Sequence, residues 1–544
     1  MRGRTENGSR ARAALLARER LYSGMERGPA EMPVVLAYPN RYPVGMSNLG
    51  FQTILAAARR AGPFDVERLF LPEEEDGPLR TWESGRPAGG APVLAFSISF
   101  ENDYVHFLRM LLAARIPLDR RERMDHHPIV VVGGAVTFLN PEPLRPFADL
   151  FLLGEGEESV GEYLRLRLDD LGKTREAHLE RAAALPGAYV PLLHEKAAAI
   201  ERRRYERVKE DPATSRILSP EAEFADTLLI EISRGCPRRC RFCTVGSVFP
   251  KFRMVPSDVV VARVEAMRAE DERLGRAPLR KVGLVTSAFF DHQQSEEIAG
   301  ELFRRGYEIG ASSVRVDQLT DSMLSVLHGS GLRTLTIAPE AGTEELRRRI
   351  RKEAADEVIL EGVARAARVG FRSLRAYFMV GLPFERASDL EGIVRLSREI
   401  RARFRSEAKG EARVTISLHP FVPKPGTPFQ WAPMLPPAET AERIRYLRSK
   451  LKGFTVKAPG LGEVYTEGIL ARSGEEAAPF LRRMAAGGSW RAAARDAGLD
   501  LERMLYRERP PEEAFPWAGG KAGHTEEVNR KEWVRAAAGS GDGR

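Results

Sequence analysis

The chain has 544 residues, 43% hydrophobic and 29% charged, with a formal net charge of +8. That balance fits a soluble globular protein of several domains and excludes collagenous, low-complexity and disulfide-rich classes. No apolar run reaches the roughly 18 residues a membrane-spanning helix needs, and the positive charge forms no aromatic-interleaved stripe, which disfavours a nucleic-acid partner.

Residues 1–30 read as an Arg-rich extension (Arg2, Arg4, Arg10, Arg12, Arg18, Arg20) without the apolar core of a signal peptide. Residues 31–165 then alternate strands and helices. Strands are expected at 33–39, 66–71, 92–98, 128–132 and 148–153, and helices at 49–60 and 104–114, with Ser47 or Asn48 as N-cap of the first helix. Gly133-Gly134 and Gly154-Glu155-Gly156-Glu157 follow the last two strands. The alternation predicts a doubly wound, Rossmann-like parallel sheet, on which ligands bind beyond the strand carboxyl ends. Residues 166–225 read as a helical and extended connector. From 226 to 435, strands at 227–233, 282–286, 309–316, 334–338, 374–380 and 414–419 are joined by helices. That pattern predicts a partial (β/α)6 TIM-type barrel with its functional loops at the strand carboxyl ends. Residues 436–517 read as a small C-terminal α/β region with a helix at 438–451. Residues 518–544, rich in Gly, Ala and charge, are expected to be disordered.

All three cysteines lie in one loop, Cys236-Pro-Arg-Arg-Cys240-Arg-Phe-Cys243. Thiolates suit zinc, copper(I) and iron–sulfur clusters. A structural zinc site wants a fourth ligand, and no histidine is near in sequence. A disulfide would strand one cysteine. Three thiolates at this spacing can hold three irons of a [4Fe-4S] cube and leave the fourth without a protein ligand. The loop resembles that of the radical S-adenosylmethionine (SAM) superfamily. The resemblance implies that the open iron chelates SAM and that one electron cleaves it to methionine and a 5′-deoxyadenosyl radical.

It also implies a SAM site. Phe242 matches the aromatic placed near adenine in that family. Ser313, Arg315 and Asp317 alternate onto one expected strand face, with Arg315 suited to the SAM carboxylate and Ser313 or Asp317 to the ribose. An internal ion pair is the competing reading. Glu340, in Pro339-Glu340-Ala341-Gly342-Thr343, resembles a segment near ribose and methionine, and Lys352 matches a recurrent lysine. Gly381-Leu382-Pro383 resembles the turn that meets adenine. The family's Gly-Gly-Glu is replaced by residues 286–291, where Thr286, Ser287 or Asp291 is assigned the amino-group contact. His419 and Lys424, in the Pro-rich closing segment, are the catalytic candidates, with a structural lid as the alternative.

The segments Gly133-Gly134, Asn140-Pro141-Glu142-Pro143 and Gly154-Glu155-Gly156-Glu157 resemble the cobalamin (B12)-binding-type domain preceding many radical SAM domains. The cobalt-ligating Asp-x-His-x-x-Gly loop is absent, and His106 lacks its context. Two readings stay open: corrin binds without a lower histidine, or the fold persists without the cofactor. With Leu470-Ala471-Arg472 and Phe515-Pro516-Trp517, the resemblance extends over roughly 30–517, to an uncharacterised group of such proteins. The expected function is a radical SAM enzyme with one [4Fe-4S] cluster and SAM, with cobalamin-dependent methyl transfer or rearrangement as one branch. Methylthiolation is disfavoured, since no cysteine remains for a second cluster. A non-catalytic iron–sulfur sensor is the alternative. A flavodoxin- or ferredoxin-type electron donor, an unidentified substrate and a cytoplasmic location complete the expectation.

Overall fold

A computed structural model describes residues 12–72, 79–311, 315–517 and 526–539. The N-terminal domain is a six-stranded sheet. Its elements are β1 (Met32–Tyr38), α1 (Leu49–Arg60), β2 (Phe64–Phe70), β3 (Val93–Ser97), α2 (Asp103–Ala113), β4 (Ile129–Gly133), β5 (Leu150–Leu152), α3 (Gly156–Asp169) and β6 (Ala188–Tyr189). The strand order is β2-β1-β3-β4-β5-β6, parallel except for β6. The first five follow the flavodoxin-like doubly wound order, which reverses between β1 and β3. Near-continuous apolar strands such as Met-Pro-Val-Val-Leu-Ala-Tyr form here because both sheet faces are covered. The Asn48 side chain caps α1 by accepting from Phe51 N–H at 2.8 Å. Helices α1 and α3 cover one face. The other packs on α2 and on C-terminal side chains including Tyr465, Phe480 and Trp490.

The second domain contains β7 (Thr227–Glu231), α4 (Ser257–Arg273), β8 (Lys281–Val285), α5 (Ser295–Arg304), β9 (Glu308–Ala311), α6 (Asp321–Gly329), β10 (Thr334–Glu340), α7 (Asp356–Val369), β11 (Ser373–Val380), α8 (Ala387–Glu407) and β12 (Arg413–Pro420). These strands pair in parallel, in the orders β9-β8-β7 and β10-β11-β12. One core runs through both sheets and their helices. These are the six strands of a (β/α)6 arrangement. In 436–517, α9 (Pro437–Lys450) precedes β13 (Thr455–Lys457), which extends the sheet beside β12. From α10 (Leu461–Arg472) onward that segment is helical, so its α/β character rests on β13 alone among the described residues.

Two expectations change. Val316 does not belong to the strand expected at 309–316: among the described residues β9 runs over Glu308–Ala311, and Val316–Gln318 form a 3-10 turn. Part of the expected disordered tail forms a docked helix, α11 (Glu526–Ala537), whose Trp533 is 5% exposed. The N-terminal extension makes contacts with both domains. Glu19 pairs with buried Arg68 at 2.7 Å, and Arg20 and Tyr22 bond Asp271 of α4 at 2.7 and 3.0 Å.

Candidate functional site

The cysteine loop leaves β7 through Ser233-Arg234, which pairs antiparallel with Arg253-Met254 and closes the loop at its base. Gly235 sits there at φ +89°, and an added Cβ would lie 2.7 Å from the Lys251 carbonyl oxygen, so only glycine fits. Cys243 N–H donates to the Cys240 carbonyl at 3.0 Å. Between them, buried Arg241 pairs with Glu532 of α11 at 3.1 Å and donates to the Arg349 carbonyl at 2.7 Å.

Burial raises the pKa of all three thiols, that of Cys243 to about 12. Thiolates here therefore need positive charge, which metal bonding supplies. Arg238 and Arg315 oppose the rise at Cys236, and Lys352 and Arg315 at Cys240. Among the described residues, no three His, Cys, Asp or Glu side chains converge as on one ion.

A cavity of about 570 Å³ runs along β10 from Thr334 to Glu340, reaches Ala311 of β9 and Leu327 of α6, and is lined further along by Tyr377, Met379 and His419. The alternation along each strand aims these side chains to one side. Glu340 lies at φ +69°, where β10 breaks register with β11, and pairs with Lys352 Nζ at 2.6 Å. A non-glycine residue in this conformation marks local strain of the kind found at functional sites. The pair gives Lys352 a partner that sequence did not identify. His419 stands 5.2 Å from the Tyr377 ring centroid. Burial lowers its pKa, opposed by Glu340 and Glu467, so it is neutral at pH 7.

The other candidates divide. Phe242 packs into the aromatic cluster of Phe421, Phe429 and Trp533. Gly381, at φ +83°, gives its N–H to the Glu385 carboxylate at 3.0 Å. Arg315 is held by Asp317 through two bonds of 3.1 and 2.8 Å, which is the internal pair foreseen as the competing reading. Ser313 lies outside the described residues. Ser287 is exposed beyond β8, while Thr286 bonds Ser233 at 2.6 Å and Asp291 pairs with Arg238 at 2.7 Å. Lys424 is away from the His419 cavity lining and is clamped between Glu101 (2.7 Å) and Glu467 (2.8 Å), joining three segments.

A second cavity, of about 330 Å³, is lined chiefly by apolar groups and lies between α1, α3 and the sheet face of β1–β5, reaching the carboxyl ends of β3–β5. Gly50, Gly133, Gly134, Gly154 and Gly156 line it, so backbone can approach a ligand. Glu231, Arg234, Phe249 and Val285 of the second domain complete its wall. Among the described residues no histidine lines it, and His106 instead meets the Pro39 carbonyl at 3.1 Å.

Between cavity and cysteine loop lies an ion network. Arg234 pairs with Glu231, Glu155 and Glu157 at 2.7, 3.0 and 2.7 Å. Arg253 pairs with Glu155, whose carboxylate also accepts from Tyr205 N–H at 2.8 Å. Burial pushes the Glu155 pKa up, but Arg253 and Arg234 hold it below the usual range. The sequence displayed Gly-Glu-Gly-Glu and Arg-Gly-Cys; it could not display that they meet.

Residues 230–397 match the family model of the radical SAM superfamily, and residues 50–191 match that of the N-terminal domain of radical SAM proteins. The uncharacterized protein MJ0966 of Methanocaldococcus jannaschii is 27% identical over 453 residues, covering 82% of this chain and 90% of that protein. The radical SAM methyltransferase TsrM of Kitasatospora setae superposes with a TM-score of 0.50 at 13% identity, over 86% of this chain and 99% of TsrM. The cobalamin-dependent radical SAM enzyme OxsB gives 0.46 at 15% identity, over 67% of this chain and about half (52%) of OxsB.

Proposed function

Because the chain belongs to the radical SAM superfamily, we propose that it is a cobalamin-dependent enzyme that methylates or rearranges a substrate held beside Glu340, Tyr377 and His419. The observation that carries this reading is the apolar cavity at the sheet's switch point, whose wall includes Arg234, two residues before Cys236. Its volume would suit a nucleoside-sized body, such as the nucleotide tail of a cobalamin, held against Gly133, Gly134, Gly154 and Gly156. Four of its lining residues come from the domain that carries the cysteines, which favours one shared reaction space.

When bound, the cluster and SAM supply radical initiation and the corrin supplies a methyl carrier. The chain's own groups do the rest. Cys236, Cys240 and Cys243 would hold three irons. Glu340, kept in place by Lys352, faces the cavity and orients hydroxyl or amino groups of SAM or substrate. Neutral His419 can accept a proton from substrate. The apolar walls and the α11 cap limit water and oxygen. An external flavodoxin- or ferredoxin-type donor supplies electrons, in an oxygen-poor cytoplasm. The test is SAM turnover by the reduced, cluster-loaded protein. Release of 5′-deoxyadenosine or S-adenosylhomocysteine, abolished in Cys243→Ala, is expected; intact SAM after full reduction contradicts enzymatic function and favours a sensor.

A further inference from the structure

A third cavity, of about 400 Å³, lies where α1, α3, the connector and α4 meet. Five arginines line it: Arg60, Arg165, Arg207, Arg216 and Arg263. The carboxylates in its wall are largely engaged. Asp211 takes Arg263 at 2.9 Å and the Tyr205 hydroxyl at 3.2 Å. Glu157 is bound to Arg234, while Glu158 and Glu162 share Arg203 at 3.3 and 3.0 Å. Among the described residues, Arg60, Arg165, Arg207 and Arg216 pair with no carboxylate, although Arg165 donates to the Ala61 carbonyl at 3.0 Å. Adjacent arginines are treated differently: Arg59 and Arg68 both bond Glu83. Arg216 is half-buried; burial lowers its pKa, and Arg263 and Arg60 lower it further, with Asp211 and Glu270 opposing. Like charges gathered around a polar hollow favour a counter-anion.

We propose that this cavity binds a phosphorylated small molecule, with the phosphoryl group on Arg60, Arg216 and Arg263. Planar guanidinium forks match phosphate oxygens in bidentate fashion. The volume admits a mononucleotide-sized ligand. Glu158 and Glu162, on the α3 side, accept hydroxyl hydrogens from its body. The site touches both domains: α1 and α3 also wall the apolar cavity, and Arg263 stands on α4. Occupancy therefore braces the junction that aligns the two reaction cavities.

The experiment is calorimetric titration of the full chain, cluster-loaded and oxygen-free at low salt, with inorganic phosphate, pyrophosphate and 5′-AMP. Saturable binding is expected, weakened about tenfold or more in Arg216→Met, since a charged hydrogen bond contributes at least that factor. Arg60→Gln, at an exposed position, weakens it in the same direction and carries the test if the first variant misfolds. Arg395→Gln, on α8 away from the cavity, leaves affinity unchanged. Tighter binding of 5′-AMP than of phosphate supports a nucleoside monoester; equal binding supports recognition of the phosphoryl group alone. No saturable binding of any of the three up to about 10 mM, weaker than the ordinary range for a specific anion site, overturns the proposal. So does binding that neither cavity variant alters.

Discussion

Glu155→Gln is the sharpest perturbation of the domain junction. Glu155 is 8% exposed and is the carboxylate partner of Arg253, itself 4% exposed. Beyond it, Arg253 has the Tyr205 carbonyl at 2.5 Å, while its Nε lacks a partner. Neutralising Glu155 leaves that guanidinium buried without a counter-charge, a loss of about 3–5 kcal/mol for a broken buried pair. At about 2–4 °C per kcal/mol for a domain of 150–250 residues, the midpoint falls by about 6–20 °C. Calorimetry of the cluster-free chain reads this directly. The double variant Glu155→Gln/Arg253→Met removes both charges and recovers part of the loss, a coupling of about 1.5 kcal/mol or more. A fall under about 1 kcal/mol, or strict additivity in the double variant, refutes the reasoning that this pair fixes the junction.

Ala95→Phe fills the apolar cavity at about 1–3 kcal/mol of overpacking; it is expected to abolish cobalt uptake without changing iron content, and retained cobalt places the corrin elsewhere. Trp533→Ala removes the anchor of α11 on Phe384 and Phe429, 5.4 and 5.9 Å away by ring centroids, at about 3–5 kcal/mol. Faster hydrogen exchange across 526–537 and quicker bleaching of the cluster in air are expected; unchanged rates would show that the helix does not shield the loop. His292 donates to the Val255 carbonyl at 2.8 Å and accepts from Gln294 N–H at 3.0 Å, a neutral ring whose pKa burial lowers. The unfolded chain therefore protonates first. Stability is level above about pH 6.5 and falls as pH drops below it; His292→Gln reduces that slope, and an unchanged slope refutes the assignment.

Local signals carried much of the fold. The helix at 49–60 was legible because its apolar spacing and the Asn48 cap agree, and the parallel strands because both faces are apolar. Arg315-Val316-Asp317 misled as to its element because alternation alone suits a strand, whereas the Arg315–Asp317 pair closes within a turn. The tail hid its helix because its anchor, Trp533, packs on aromatics more than a hundred positions upstream. Glu155 was visible as part of a motif, but its partner Arg253 lies 98 positions away, and no local pattern links them. The cysteine loop stood out because three thiols fall within one short segment and no other cysteine occurs in the chain.

The central claim, one cluster and one corrin in a shared reaction space, is tested most directly by the metal content of the oxygen-free purified protein from a cobalamin-supplied host. The account predicts about four irons and about one cobalt per chain. About eight irons would contradict the single cluster, and four irons without cobalt would contradict the corrin.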